Sequence, residues 1–120
     1  MAGDPRSRSG SWNSEVNLSK PIFRRPKALE DIEGAAIFLA EDNLEVALRF
    51  LDRAELTIKG ISEFPESGAP FQTNIPDLAG LRTKLIKDFS NYVVFYLESS
   101  NAIEIVRVLR GGQDMSAEIG

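Results

Sequence analysis

The stretch LRTKLIKDFSNYVVFYLESSNAIEIVRVLRGG, Leu81 to Gly112, decides the architecture. It holds three strand-like runs in succession: Leu81–Lys87, Tyr92–Glu98 and Ala102–Leu109. β-branched and aromatic residues crowd these runs, and the polar turn formers DFSN and SSN separate them. Connections this short force consecutive strands to run antiparallel. Period-2 alternation puts Tyr92, Val94 and Tyr96 on one face and Val93, Phe95 and Leu97 on the other. By the same rule Arg82 and Lys84 share a face opposite Leu81 and Leu85, while Arg107 goes with Ile105 and Leu109.

Upstream of the meander the period changes. Lys20–Arg24 reads as a short strand, which Pro21 keeps from full pairing on both sides. Pro26 suits the first turn of a helix, and Ala28, Leu29, Ile32, Ala35, Ala36 and Leu39 recur at helical spacing up to Ala40–Glu41. Glu30, Asp31 and Glu33 lie near its start, where the helix dipole favours anions. Asp42 or Asn43 then caps a second helix, and Glu45 stands three after Asp42 as a capping box requires. Leu44, Ala47, Leu48, Leu51, Ala54, Ile58 and Ile61 form its stripe, with Gly60 marking its end. So short a link makes the two helices an antiparallel hairpin.

The loop EFPESGAPFQTNIPDLAG, punctuated by proline and glycine, leads into the three strands. The order is β-α-α-β-β-β. It predicts an α+β domain, a helical hairpin packed on one face of an antiparallel sheet of about four strands, with the other face free. Residues 1–18, rich in Ser, Gly, Arg and Pro, read as a disordered tail carrying the single tryptophan, Trp12. Residues 19–115 form the domain and 116–120 a flexible end.

Composition narrows the chemistry. The 120 residues are 42% apolar, and no run is long enough to span a membrane. There is no apolar export segment at the N-terminus, so the expected location is cytoplasmic. Cysteine and histidine are both absent, which removes disulfides, Ser-His-Asp and Cys-His nucleophiles, and thiolate or imidazole zinc sites. The net charge of −4 does not draw the chain to nucleic acid. Acids dominate Ala28–Glu66, and from Leu78 to Asp114 bases slightly outnumber acids.

Three features bear on function. Arg82, Lys84, Lys87, Arg107 and Arg110 lie on consecutive strands. Guanidinium groups suit carboxylate and phosphate, yet alone the set reads as a solvated sheet face with one packed arginine. Arg107 either pairs with an internal carboxylate, such as Glu104 or one on a neighbouring strand, or faces a partner. RGGQD, with Gly111 and Gly112, could present backbone N–H groups to an anion, but no helix start or following Lys-Ser makes it a phosphate loop; it reads as a strand terminator. The aromatic row Phe89, Tyr92, Phe95 and Tyr96 is half core by alternation.

Four fragments resemble, in order and spacing, the RelE/ParE toxin superfamily of type II toxin–antitoxin modules, and its ParE branch in particular. They are RRPKALEDIEG, NLEVALRFLDRAELTIKGISEFPESG, LAGLRTKLIKDFSNYVVFYLE and IEIVRVLRGGQD. The likeness spans Pro21 to Asp114, nearly the whole domain. It implies a helical hairpin on a curved sheet, neutralised by a ParD-like antitoxin that lays a helix and a disordered segment in an apolar groove. ParE-type toxins inhibit DNA gyrase. The resemblance implies Arg82, Lys84, Arg107, Arg110, Gly111, Gly112 and Asp114 as target-binding candidates. It implies Leu44, Leu48, Leu51 and Tyr96 as antitoxin-binding candidates. No cofactor, metal, membrane or direct nucleic-acid partner is expected, and a dimer or larger toxin–antitoxin assembly fits the pattern.

RelE-type relatives are ribosome-dependent mRNA endonucleases, and Arg82 and Arg107 match their arginines. Arginine stabilises phosphorane charge but is a poor general base, because it does not release its proton. The C-terminal GGQDMSAEIG supplies neither Tyr nor His. The expectation is therefore a toxin that acts by binding, with no catalytic residue. The alternatives are a RelE-like endonuclease, or an inactive homologue that only binds its antitoxin.

Overall fold

The computed structural model describes residues 19–111 and 118–119, so the tail assigned to residues 1–18 and most of the end at 116–120 lie outside the described residues. The elements are β1 (Ile22–Arg24), α1 (Pro26–Asp42), α2 (Leu44–Glu63), β2 (Ala69–Pro70), β3 (Arg82–Ile86), β4 (Phe89–Glu98) and β5 (Ile103–Arg110). Two helices pack on a five-stranded sheet of order β1-β5-β4-β3-β2, the expected α+β class.

The sheet is mixed rather than antiparallel, and it has one strand more than expected. β1 lies parallel to β5, with Ile22 opposite Ile103 and Arg24 opposite Ile105. Tight turns dictate direction only between consecutive strands. β1 and β5 are joined through the whole hairpin and meander, so no turn constrains them. The added strand, β2, is a two-residue ladder inside the proline-rich loop, too short to leave an alternating pattern.

Pro26 begins α1 as expected. Asn43, not Asp42, caps α2: its Oδ1 accepts from the Glu45 N–H at 2.9 Å and the Val46 N–H at 3.3 Å. Asp42 instead ends α1. Gly60 does not end α2; it lies inside the helix, which stops at Glu63 once the Phe64 N–H reaches the Gly60 carbonyl at 2.9 Å. The expected turn DFSN is shorter than read, because β4 already starts at Phe89 and Asp88 alone takes the left-handed conformation (φ 67°).

The buried face of α2 is Ala47, Phe50, Ala54, Thr57, Ile58, Ile61 and Ser62. Phe50 sits edge-on to Phe89 at 5.4 Å and tilted against Tyr92 at 4.9 Å. Burying one such aromatic contributes about 2–3 kcal/mol. This rotates the expected stripe: Leu44, Leu48 and Leu51 are 63%, 56% and 36% exposed. Thr57 is in the core because its hydroxyl is satisfied twice. It donates to the Arg53 carbonyl at 2.8 Å and accepts the Lys87 N–H at 3.1 Å, tying α2 to the β3–β4 turn.

The second sheet face is not free. Leu78, Leu81, Val93, Phe95, Val106 and Leu109 form a separate buried cluster there, with Phe71, Ile75, Leu97 and Ile119 against it. The 70–81 loop folds back over it, and Phe71 meets Phe95 edge-on at 5.1 Å. The alternation read from β4 holds: Tyr92, Val94 and Tyr96 face the hairpin, and Val93, Phe95 and Leu97 face the loop.

Candidate functional site

A register shift in β5 positions the first group of cations. Phe95 pairs with Arg107, but Tyr96 pairs with Ile105, so Val106 is the extra residue of a bulge. The bulge breaks the period-2 assignment of Arg107 to the face of Ile105 and Leu109. β1 also stops pairing at Ile105, which opens the outer edge of β5 beyond it. Asp31 of α1 fills that opening. Its Oδ2 accepts from Arg107 Nε at 2.6 Å and from the Val108 N–H at 3.0 Å, while Oδ1 accepts from Arg107 Nη2 at 2.9 Å.

Only 11% of the Arg107 side chain and 14% of that of Asp31 reach solvent. The hydrogen bonds that Arg107 donates to Asp31 raise its pKa above the ordinary guanidinium value, against the opposing effect of burial. Arg107 also donates from Nη1 to the Glu118 carbonyl at 2.7 Å. Its internal carboxylate is thus on α1, not Glu104 and not a neighbouring strand; Glu104 pairs with Arg25 at 2.6 Å instead. Asp31, read from the sequence as a dipole-matched surface acid, lies beyond the first turn of α1 and acts as this clamp. No local pattern marks it, because its partners are far away in sequence.

Arg110 ends β5 on the exposed side, its guanidinium 5.2 Å from the centre of the Phe38 ring. A cation over an exposed ring gains about 0.5–1 kcal/mol. Arg107, Arg110, Asp31, Glu30, Phe38 and Glu118 help line a groove of about 480 Å³ between α1 and β5. Gly111 closes the strand, its N–H on the Asn91 carbonyl at 2.6 Å. Gly112 and Asp114 lie outside the described residues.

Arg82 and Lys84 form a separate group on β3. They pair with Tyr96 and Val94, so both share the hairpin-facing side, as the alternation predicts. Arg82 Nη1 donates to the Gly68 carbonyl at 2.7 Å and, at 3.5 Å, to that of Glu66. β4 stands between Arg82 and Arg107, so the four candidate cations make two sites rather than one.

Tyr96 is fully buried (0% exposed). Its hydroxyl donates to the Pro65 carbonyl at 2.6 Å and accepts the Gly68 N–H at 2.9 Å. Burial raises its pKa, and the Gly68 N–H partly opposes this. Tyr96 therefore secures the loop after α2 and presents no surface to a partner, unlike the other three antitoxin-binding candidates. A Cβ on Gly68 would meet the Tyr96 hydroxyl and lie 2.7 Å from the Thr83 carbonyl, so only glycine fits there.

Leu44, Leu48 and Leu51 stand at i, i+4 and i+7 on the outer side of α2. On α1, Ile37 and Phe38 are also more than half exposed. Both helices of the hairpin thus carry large apolar side chains exposed to solvent. Among the described residues, no three acidic side chains converge to hold a metal ion, and no helix is long and apolar enough to cross a membrane.

The family model of the ParE toxin of the type II toxin–antitoxin system parDE matches residues 22–115. None of the curated proteins matches the chain. Among solved structures, the chromosomal ParDE toxin–antitoxin system from P. aeruginosa superposes with a TM-score of 0.61 at 18% identity, covering 78% of this chain and 98% of that one. The RelBE2 toxin–antitoxin complex from Mycobacterium tuberculosis gives a TM-score of 0.53 at 15% identity, covering 80% and 95%. At such identities the two structures share the fold, while the family model spans β1 to beyond β5. The chain belongs to the ParE toxin family of type II toxin–antitoxin systems.

Proposed function

We propose that this toxin acts in the cytoplasm by binding DNA gyrase and blocking it. A ParD-like antitoxin neutralises it by lying along the outer side of the helical hairpin. The observation that carries the reading is the exposed row Leu44, Leu48 and Leu51, three leucines on the side of α2 turned away from the core. An amphipathic helix reads such a row through its own i, i+3 and i+4 anchors. The gyrase-binding end is the close of β5, where Arg110 and Gly111 lead into Gly112 and Asp114.

The endonuclease alternative needs Arg82 and Arg107 to act on one phosphate. Each guanidinium is bonded within the fold, and β4 separates them. This favours a binding toxin. The test is induction of the chain with and without a co-expressed ParD-like antitoxin, together with a supercoiling assay on purified gyrase. Inhibited supercoiling and rescue by the antitoxin support the proposal. Transcripts cleaved on ribosomes with supercoiling untouched replace it with the endonuclease, and no growth defect despite tight antitoxin binding leaves an inactive homologue.

A further inference from the structure

Phe64 is the most exposed large apolar residue described, at 70%. It caps the C-terminus of α2 and lies in a groove of about 570 Å³ with Glu63, Pro65, Glu66, Ser67 and Glu98. Leu56 and Leu85, both half exposed, continue the apolar surface on its other side. The described chain enters at this groove. The Lys20 N–H donates to the Ser62 carbonyl at 3.3 Å, two residues before Phe64, and Lys20 Nζ pairs with Glu98 of the groove wall at 2.7 Å.

Immediately upstream the sequence carries apolar Val16 and Leu18, then Trp12, then the bases Arg6 and Arg8 within PRSRSGSW, a run without an acid. Trp12 lies seven residues before Ser19, a reach of at most about 25 Å for extended chain. The groove is within that reach because it begins beside Ser62. Its acids Glu63 and Glu66 complement the arginines, and Phe64 offers Trp12 an aromatic partner. Tethering so close makes the encounter intramolecular, which raises its effective concentration.

We propose that the segment before Ser19 docks on this groove, with Trp12 packed against Phe64 and Arg6 and Arg8 facing Glu63 and Glu66. The proposal is independent of the toxin's target. As the single tryptophan, Trp12 reports on it directly. In the full chain, Trp12 emission should lie to shorter wavelength than in urea, with severalfold weaker acrylamide quenching, at every protein concentration. Phe64→Ser should restore the solvent-exposed emission, and Glu63→Lys with Glu66→Lys should do so in part at low salt. Far-UV circular dichroism should be unchanged in both variants. Emission already matching the unfolded chain overturns the proposal. So does release by Leu48→Ser instead of Phe64→Ser, which puts Trp12 on the hairpin. A shift that appears only on raising concentration overturns it in favour of a second copy of the chain.

Discussion

Arg107 of β5 and Asp31 of α1 meet in a two-pronged ion pair, at 2.6 and 2.9 Å, whose carboxylate also holds the Val108 N–H at 3.0 Å. One aspartate stands in for the neighbouring strand that β5 lacks beyond Ile105. An open strand edge is otherwise a template for wrong pairing. The clamp joins the first helix to the last strand, so it also sets the walls of the groove beside Arg110.

Arg107→Ala is expected to destabilise the fold by about 3 kcal/mol, because it leaves a largely buried carboxylate without its cation. Asp31→Asn should cost less, about 1–2 kcal/mol, since the amide still accepts one hydrogen bond. Urea unfolding measures both. Equal losses within error for Arg107→Ala and an exposed control such as Lys27→Ala would show that the clamp contributes nothing. A loss of toxicity in Arg107→Ala alone thus cannot assign that residue to the target.

Arg110→Ala separates toxicity from folding. It removes the exposed cation–ring contact with Phe38, which contributes about 0.5–1 kcal/mol. If the end of β5 engages gyrase, supercoiling inhibition should fall at least tenfold. Undiminished inhibition by a folded Arg110→Ala protein would move the target site elsewhere.

Leu48→Asp places a charge on the exposed side of α2 without touching the core. The unfolding free energy should stay within about 0.5 kcal/mol of the parent. Antitoxin affinity should drop by about 2 kcal/mol or more, some thirtyfold, as for a central interface residue. Calorimetric titration with the antitoxin reads the difference, and unchanged affinity would clear the hairpin of that role.

Tyr96→Phe should cost about 1–3 kcal/mol near neutral pH, because the Pro65 carbonyl and Gly68 N–H lose their partner inside the protein. Tyr96 has a raised pKa in the folded state. Its stabilising contribution is whole below the unfolded value of about 10 and is lost as pH rises through the folded value. The stability gap between parent and Tyr96→Phe should therefore narrow above about pH 10. Paired denaturation curves from neutral to alkaline pH check the sign, and a widening gap would contradict it.

Gly68→Ala is expected to destabilise by about 1–3 kcal/mol, the usual cost of overpacking, since its Cβ meets the Tyr96 hydroxyl and backbone. Combining it with Tyr96→Phe should relieve part of the loss. Strict additivity of the two changes would show that they do not share one contact.

By itself the sequence determined the α+β order, the helical hairpin and the meander, because these follow from hydrophobic period and turn length, which are local. It also determined that Val93, Phe95 and Leu97 oppose Tyr92, Val94 and Tyr96, since period-2 alternation along a strand is local. Tertiary structure decided the rest. It chose Phe50 over Leu48 for the core, because α2 must present its largest side chain to the aromatic end of β4. It buried Tyr96 by supplying two backbone partners from a distant loop, and it covered the second sheet face with residues that read as irregular. The same logic turned Arg107 from a candidate contact into a clamp. A one-residue bulge and the early end of β1 opened an edge that only Asp31, 76 residues away, was placed to fill. Long-range pairing of this kind has no signature in any short stretch of sequence.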